Sequence, residues 1–231
     1  MQIGERLLAE STDAQIRSGA IYTLCNACVM KKDIENAKKY ADMMPSYIYS
    51  KEILYGRCLF GEERLKYRQN CIVEFIRTIY SIFIQDLYGV AGIGNPCDCL
   101  PKSYTAKICE FALGLFKLLY PDSDYGDDER WVAAICNVLT NQYSGDDNNK
   151  SLYYLEETVN HYVKYYTQSK FKHTSFTVDR LTCPGFTGSK DVMQRCVAQD
   201  LSAIEDVQDL EPIRNDARYA VAVGKLKALL K

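Results

Sequence analysis

The chain has 231 residues, of which 47% are hydrophobic and 25% are charged, an ordinary balance for a globular protein. Its formal net charge of −2 excludes a field of one sign strong enough to bind nucleic acid across the whole chain. The 13 glycines and 6 prolines are few for this length, which favours long helices over many short strands.

The first part of the chain predicts five helices, because apolar residues recur there at helical spacing between polar ends. The predicted spans are residues 3–9, 13–30, 33–44, 51–60 and 62–88. Ser11 or Thr12 is placed to cap the second helix, and Ser50 the fourth. The apolar residues of the fifth cover more than a narrow stripe, so we expect this helix to be central and buried on several sides.

After a loop predicted for residues 90–102, the second part predicts five more helices. The spans are 104–120, 128–143, 150–168, 189–207 and 211–230, with Ser103 and Ser189 as caps and Pro212 in the first turn of the last. Residues 170–188 indicate a short extended excursion between helices. The acidic connectors at 121–128 and 144–149 are interpreted as solvated turns whose acids cap helices, and calcium loops beginning at Asp122 or Asp146 are disfavoured by their spacing.

The fold class predicted is all-α, with antiparallel helix pairs of the tetratricopeptide type forming a superhelix or solenoid-like bundle. Residues 16–45 and 130–163 have the shape of one such pair each, and Ala37 and Ala41 are small where two helices must approach closely. An irregular helical bundle is the alternative. We expect a single domain over 1–231, with sub-halves 1–90 and 103–231 joined by the 90–102 loop.

Residues 4–72 also resemble a known family. The features that carry the resemblance are the early GER-L, the stretch from Asp13 to Arg17, Asp33 followed by Ala37, Met44-Pro45, Ser50, Gly61-Glu62 and Gln69-Asn70. They are similar to the tetratricopeptide-like region that follows the DNA-binding head in XRE-type helix-turn-helix transcriptional regulators from Firmicutes. No helix-turn-helix precedes Gly4, so the resemblance implies that DNA is contacted only through an N-terminal domain outside this chain.

The tail resembles the final helix of many tetratricopeptide arrays, through a spaced run of residues. The run consists of Leu210, Pro212, Arg214, Asp216 and Arg218. We expect it to seal the apolar end of the domain, which is a structural role.

The sequence gives little evidence for a catalytic site or a metal site. Most of the 10 cysteines occupy apolar helix positions, which indicates a reducing cytoplasm and no disulfide framework. A zinc site would need Cys25 and Cys28 to meet Cys97 and Cys99, and their spacing does not require it. Because no local motif supports a nucleophile beside either histidine, we expect no enzyme activity, no metal and no cofactor.

Binding is the remaining function, since stacked helix pairs form a concave groove. Amide side chains there can donate to and accept from an extended peptide backbone. The candidate groove residues are Tyr22, Asn26, Asn70, Arg77, Asn137 and Asn141. We therefore expect a peptide or protein ligand, dimerisation through a helix face, no nucleic acid on this chain itself and no membrane. The function predicted is the sensor and oligomerisation region of a transcriptional regulator, with a stand-alone interaction scaffold as the alternative.

Overall fold

A computed structural model describes residues 1–45, 51–80 and 102–231. The all-α prediction is confirmed, because these ranges contain ten α-helices and a single two-stranded antiparallel sheet. The helices are α1 Gln2–Glu10, α2 Ala14–Met30, α3 Ile34–Asp42, α4 Lys51–Arg57, α5 Gly61–Tyr80, α6 Lys102–Leu119, α7 Glu129–Tyr143, α8 Asn148–Thr167, α9 Lys190–Glu205 and α10 Ala217–Lys227. The strands are β1 Phe171–Lys172 and β2 Thr182–Cys183. No described helix combines the length and the apolar character needed to cross a membrane.

The chain divides into two compact units, Met1–Ile72 and Val73–Lys231. The division falls inside α5, whereas the expected sub-halves meet at the 90–102 loop. Of that loop only Lys102 lies within the described residues, and it begins α6. The single-domain organisation stays a prediction.

The first unit packs α2 against α1 and α3, and α3 against α4. Ala37 and Ala41 are fully buried on α3, which confirms that small residues sit where this helix meets its neighbours. The apolar core of the unit consists of Ile21, Cys25, Cys28, Ala37, Ala41, Met44, Leu54 and Cys58. The cap of α2 is Asp13, whose carboxylate accepts the backbone amides of Gln15 and Ile16, so the assignment to Ser11 or Thr12 was wrong. Ser50 lies outside the described residues.

The expectation for the fifth helix was wrong over the part that the structure describes. In α5 the exposed fractions of Leu65, Ile72 and Phe75 are 44%, 45% and 51%, while Gln69 and Val73 are buried. The apolar residues spread widely around this helix, but they did not bury it on several sides. The predicted continuation through residues 81–88 lies outside the described residues.

In the second unit α7 packs against α6 and α8, and α8 packs against α10. One core cluster joins α6 to α7 through residues such as Cys109, Phe116 and Leu139. A second joins α8, α9 and α10 through residues such as Leu155, Ile204 and Leu226. Because α7 and α8 contribute to these clusters along most of their length, they form the centre of the unit.

Local signals set most helix ends in this unit. The extended excursion expected in 170–188 is present as the β1–β2 pair, in which Phe171 is opposite Cys183. Ser189 caps α9 as predicted. Pro212 was placed wrongly: it lies in a 3-10 helix spanning Gln208–Ile213, and α10 begins at Ala217 with Asp216 as its cap. Ser103 is not a cap either, because α6 already begins at Lys102.

Candidate functional site

Two of the predicted groove residues, Tyr22 and Asn26, lie one turn apart on α2 and share a contact with Arg57 of α4. Arg57 Nη1 donates to the Tyr22 hydroxyl at 2.7 Å and to Asn26 Oδ1 at 3.4 Å. The guanidinium also lies 5.4 Å from the centre of the Tyr22 ring. Asn26 Nδ2 donates to the Tyr22 carbonyl at 3.0 Å, which orients its amide oxygen toward Arg57. These three half-buried side chains form a polar cluster on the first unit.

Asn70, a third predicted residue, lines a shallow pocket in the same unit. The pocket has a volume of about 450 Å³ and is lined by Asp42, Lys51, Tyr55, Leu59, Glu63, Lys66, Tyr67 and Asn70. Its aromatic wall is the pair Tyr55 and Tyr67, whose ring centres lie 5.1 Å apart. Burial raises the pKa of Tyr67, so its hydroxyl stays protonated at neutral pH and is a hydrogen-bond donor.

The short helix α4 supplies a residue to each of these features. Tyr55 is directed to the pocket and Arg57 to the polar cluster, two residues further along the chain. Residues two apart on a helix point in different directions, so α4 carries the cluster on one side and the pocket wall on another. Tyr22, Asn26 and Asn70 are therefore all associated with α4 or the pocket it lines.

Arg77, the fourth predicted residue, is engaged inside the second unit. Its Nε donates to Asp128 Oδ1 at 2.6 Å, and Nη1 donates to Glu74 Oε1 at 3.0 Å. Asp128 is fully buried and also accepts the Tyr120 hydroxyl at 2.5 Å. Burial raises the pKa of Asp128, while Arg77 and the Tyr120 hydrogen bond oppose that rise. This geometry makes Arg77 the counter-ion of a buried carboxylate.

Asn137 and Asn141, the last two predicted residues, lie one turn apart on α7. Asn137 Nδ2 donates to the Ala203 carbonyl of α9 at 3.4 Å. The amide oxygens of both residues are buried and have no partner among the described residues. Asn137 belongs to the second unit and Asn26 to the first, so the groove expected to hold all six candidate residues stays a prediction.

The acidic connector before α7 leads into two buried carboxylates that no signal in the sequence indicated. Asp128 and Glu129 are both fully buried, so the interpretation of the connector as a solvated turn was wrong at Asp128. Glu129 lies 2.5 Å from His161 Nδ1 and 2.5 Å from Lys164 Nζ, both on α8. The His161 ring also makes an edge-on contact with Tyr125. The second acidic turn behaves as predicted, since Asp147 caps α8.

The same connector binds the β1–β2 hairpin. Asp124 Oδ1 accepts the Ser175 hydroxyl at 2.5 Å, and Oδ2 accepts the Thr174 amide at 2.5 Å. Burial raises the pKa of Asp124, but these hydrogen bonds outweigh it and hold the pKa below its usual value. His173 Nδ1 donates to the Asp124 carbonyl at 2.8 Å, which fixes the hairpin from a second direction.

Two of the buried thiols, those of Cys25 and Cys183, are poor nucleophiles. Cys183 is buried in the hairpin, and burial raises its pKa to about 11. In the first unit the Cys25 and Cys58 sulfurs lie 3.7 Å apart in the core, and burial raises the pKa of Cys25 to about 12. Because the thiolate is the reactive form, these groups act as small apolar residues near neutral pH. Cys97 and Cys99 lie outside the described residues, and the residues described hold no cluster of three or more metal-ligating side chains.

Comparison with known proteins does not link these residues to a family or a known fold. No family model, no curated protein and no solved structure matches the chain.

Proposed function

We propose that this chain is a peptide-binding helical domain that uses the α4 side of its first unit as the ligand site. The observation that carries the proposal is the pocket at Asn70, whose wall is the Tyr55–Tyr67 pair and whose rim is charged. Aromatic rings supply apolar contact at low entropic cost, and an exposed amide beside them can pair with a peptide backbone.

The charges around the pocket favour a ligand with both signs of charge. Lys51 and Lys66 are balanced by Asp42 and Glu63, so the lining carries no net charge. An extended peptide with an apolar side chain between polar groups fits such a lining better than a polyanion. This agrees with the net charge of −2, which disfavours nucleic acid as the ligand.

The tetratricopeptide-like arrangement is part of the same proposal. The packed pair α2 and α3, with fully buried Ala37 and Ala41 between them, supports it in the first unit. The packed pair α7 and α8 supports it in the second. Helix pairs of this kind present their first helices to a ligand, and Asn26 lies on such a helix.

We further propose that the domain is the sensor and oligomerisation region of a transcriptional regulator. This part rests on the resemblance of residues 4–72 to XRE-type regulators. A peptide ligand would then act by changing the state of a DNA-binding domain that this chain does not itself provide.

The ligand site is tested by selecting binders from a phage-displayed library of random short peptides on the full chain. For an enriched peptide, we expect Asn70→Ala to weaken affinity about tenfold, the loss of one good hydrogen bond. Asn26→Ala tests whether the same peptide also reaches the polar cluster on the other side of α4. The matched control is Thr23→Ala, an exposed position on α2 whose hydroxyl bonds only its own helix at Gly19. Circular dichroism checks that all three variants stay folded.

Either of two results would overturn the ligand site. One is a library from which no peptide is enriched above an unrelated helical protein. The other is a peptide whose affinity is unchanged in the Asn70→Ala variant.

A further inference from the structure

The outer face of α6 carries an apolar stripe that the described residues of the unit leave partly exposed. The exposed fractions of Tyr104, Phe111 and Leu118 are 50%, 57% and 73%, and Ile108 and Leu115 are partly exposed. The five positions follow each other in steps of four, three, four and three residues. This is the spacing with which one helix packs along another in a left-handed pair.

The opposite face of α6 already packs on α7, and of the stripe residues Ile108 also packs against that core. That inner face buries Cys109, Ala112 and Phe116, while no described residue covers Phe111 or Leu118 to any great extent. Large exposed apolar side chains on one continuous face mark interaction surfaces in soluble proteins. Among the described residues of the unit, the stripe therefore has no partner that covers it.

Gly114 flanks the stripe between Phe111 and Leu118. A Cβ added at Gly114 would meet nothing within 4 Å, so the packing of the chain itself does not demand glycine there. Glycine inside a helix costs about 1 kcal/mol relative to alanine. The bare backbone does allow a second helix to approach closely at this point.

We propose that the occupant is α6 of a second copy of this chain, running antiparallel with its two-fold axis at Phe111. The stripe is close to symmetric about that residue, so Tyr104 would meet Leu118 of the second copy and Ile108 would meet Leu115. The stripe contains no charged residue. Lys107, at its edge, would lie near Gly114 of the second copy and not near another lysine.

The area available predicts a weak dimer. The stripe is about 21 Å long, because an α-helix rises 1.5 Å per residue. Pairing the stripes of two copies would bury on the order of 1,000 Å² of surface in total, which is the lower limit for a specific interface. We therefore expect a monomer–dimer equilibrium that depends on protein concentration.

Sedimentation equilibrium of the full chain over a wide concentration range tests the surface. Phe111→Lys places two lysines at the two-fold axis, so we expect dimerisation to weaken by at least about tenfold. Phe176→Lys is the matched control, since Phe176 is 76% exposed outside α6 and should leave the equilibrium unchanged. A wild-type chain that stays monomeric overturns the proposal, as does a dimer that Phe111→Lys leaves intact.

A charge exchange tests the antiparallel direction. Tyr104→Lys and Leu118→Glu should each weaken the dimer, because each puts a charge against an apolar residue. In the antiparallel pair the double variant brings the introduced lysine of one copy against the introduced glutamate of the other. It should therefore dimerise several-fold more strongly than either single variant. A double variant weaker than both singles would show a parallel or unrelated contact and overturn the assignment.

This inference rests on the oligomerisation part of the proposed function and is independent of the peptide site. Sedimentation equilibrium without peptide tests the dimer, and Asn70→Ala should leave the monomer–dimer equilibrium unchanged. A monomeric chain that still binds peptide would remove the dimer and keep the ligand site, whereas a dimer without peptide binding would do the reverse.

Discussion

At the scale of single residues, Gly126 shows most clearly how the connector before α7 is constrained. Its φ of +60° lies in the left-handed region, and its carbonyl accepts Gln168 Nε2 at 2.9 Å. A Cβ built at this position would lie 2.7 Å from His173 Cε1 and 3.1 Å from Cys183 Cβ. Both the backbone conformation and the contact with the hairpin therefore require glycine.

Gly126→Ala should lower the free energy of unfolding by at least about 2 kcal/mol, from backbone strain together with overpacking. The matched control is Gly224→Ala in α10, where an added Cβ would meet nothing within 4 Å. That variant should raise the free energy of unfolding by about 0.5–1 kcal/mol, the helix propensity of alanine over glycine. Chemical denaturation of both variants makes the measurement, and equal effects of the two would contradict the crowding at Gly126.

At the scale of elements, the last turns of α5 are tied to the start of α7 by a buried ion pair. Arg77 contributes the guanidinium, and the Asp128 carboxylate, fully buried, accepts both this group and the Tyr120 hydroxyl. A buried carboxylate that loses its counter-ion must bear its desolvation cost alone. Packing these two helix ends together therefore requires the Arg77–Asp128 ion pair.

Arg77→Ala should lower the free energy of unfolding by about 3 kcal/mol, the lower end of the range for breaking a buried ion pair. Arg68→Ala is the control: it removes an exposed arginine from the same helix and should change stability by no more than about 0.5 kcal/mol. Chemical denaturation monitored by circular dichroism compares the two variants. If Arg77→Ala lowered the free energy of unfolding no more than Arg68→Ala, the buried Asp128 carboxylate would not need Arg77 as its counter-ion.

The helices themselves were largely predictable, because their signals are local. Ser189 stands where a capping residue was expected and accepts a backbone amide of the helix that follows, and Asp33, expected as the first residue of the third helix, is its cap. The burial of α5 and the position of Pro212 were not predictable, because neither depends on residues within one turn. Of the candidate site, Tyr22 and Asn26 were found from their place in a helix pair, but Arg57, their partner 31 residues beyond Asn26, carried no signal in the sequence.

At the scale of the whole molecule, several carboxylates in the second unit are stabilised in their charged form. A hydrogen bond from Lys150 lowers the pKa of Glu110, and one from Arg218 lowers the pKa of Glu156. For Asp124, hydrogen bonds from the hairpin outweigh burial and also lower the pKa. A group whose pKa is lower in the folded than in the unfolded chain stabilises the fold above its unfolded pKa and loses that contribution as the pH falls through its folded pKa.

We therefore expect the free energy of unfolding to fall as the pH drops below about 4, the ordinary range of these carboxyl groups. Asp124→Asn should be less stable than wild type at neutral pH by about 1–3 kcal/mol, because it weakens charge-assisted hydrogen bonds to Thr174 and Ser175. It should also lose less stability on acidification. Denaturation at a series of pH values measures both effects, and an unchanged acid slope in the variant would exclude Asp124 as a contributor.

By itself, the sequence determined that this protein is helical and where most of its helices begin and end, because helical spacing and caps act within a few residues. Only the tertiary structure decided which charges are buried. Asp128 and Glu129 follow one another in an acidic stretch that resembles a solvated turn, yet their partners Arg77 and His161 lie 51 and 32 residues away. Folding brings these charges together, and it also leaves Phe111 and Leu118 of α6 exposed among the described residues, because the opposite face of that helix packs on α7.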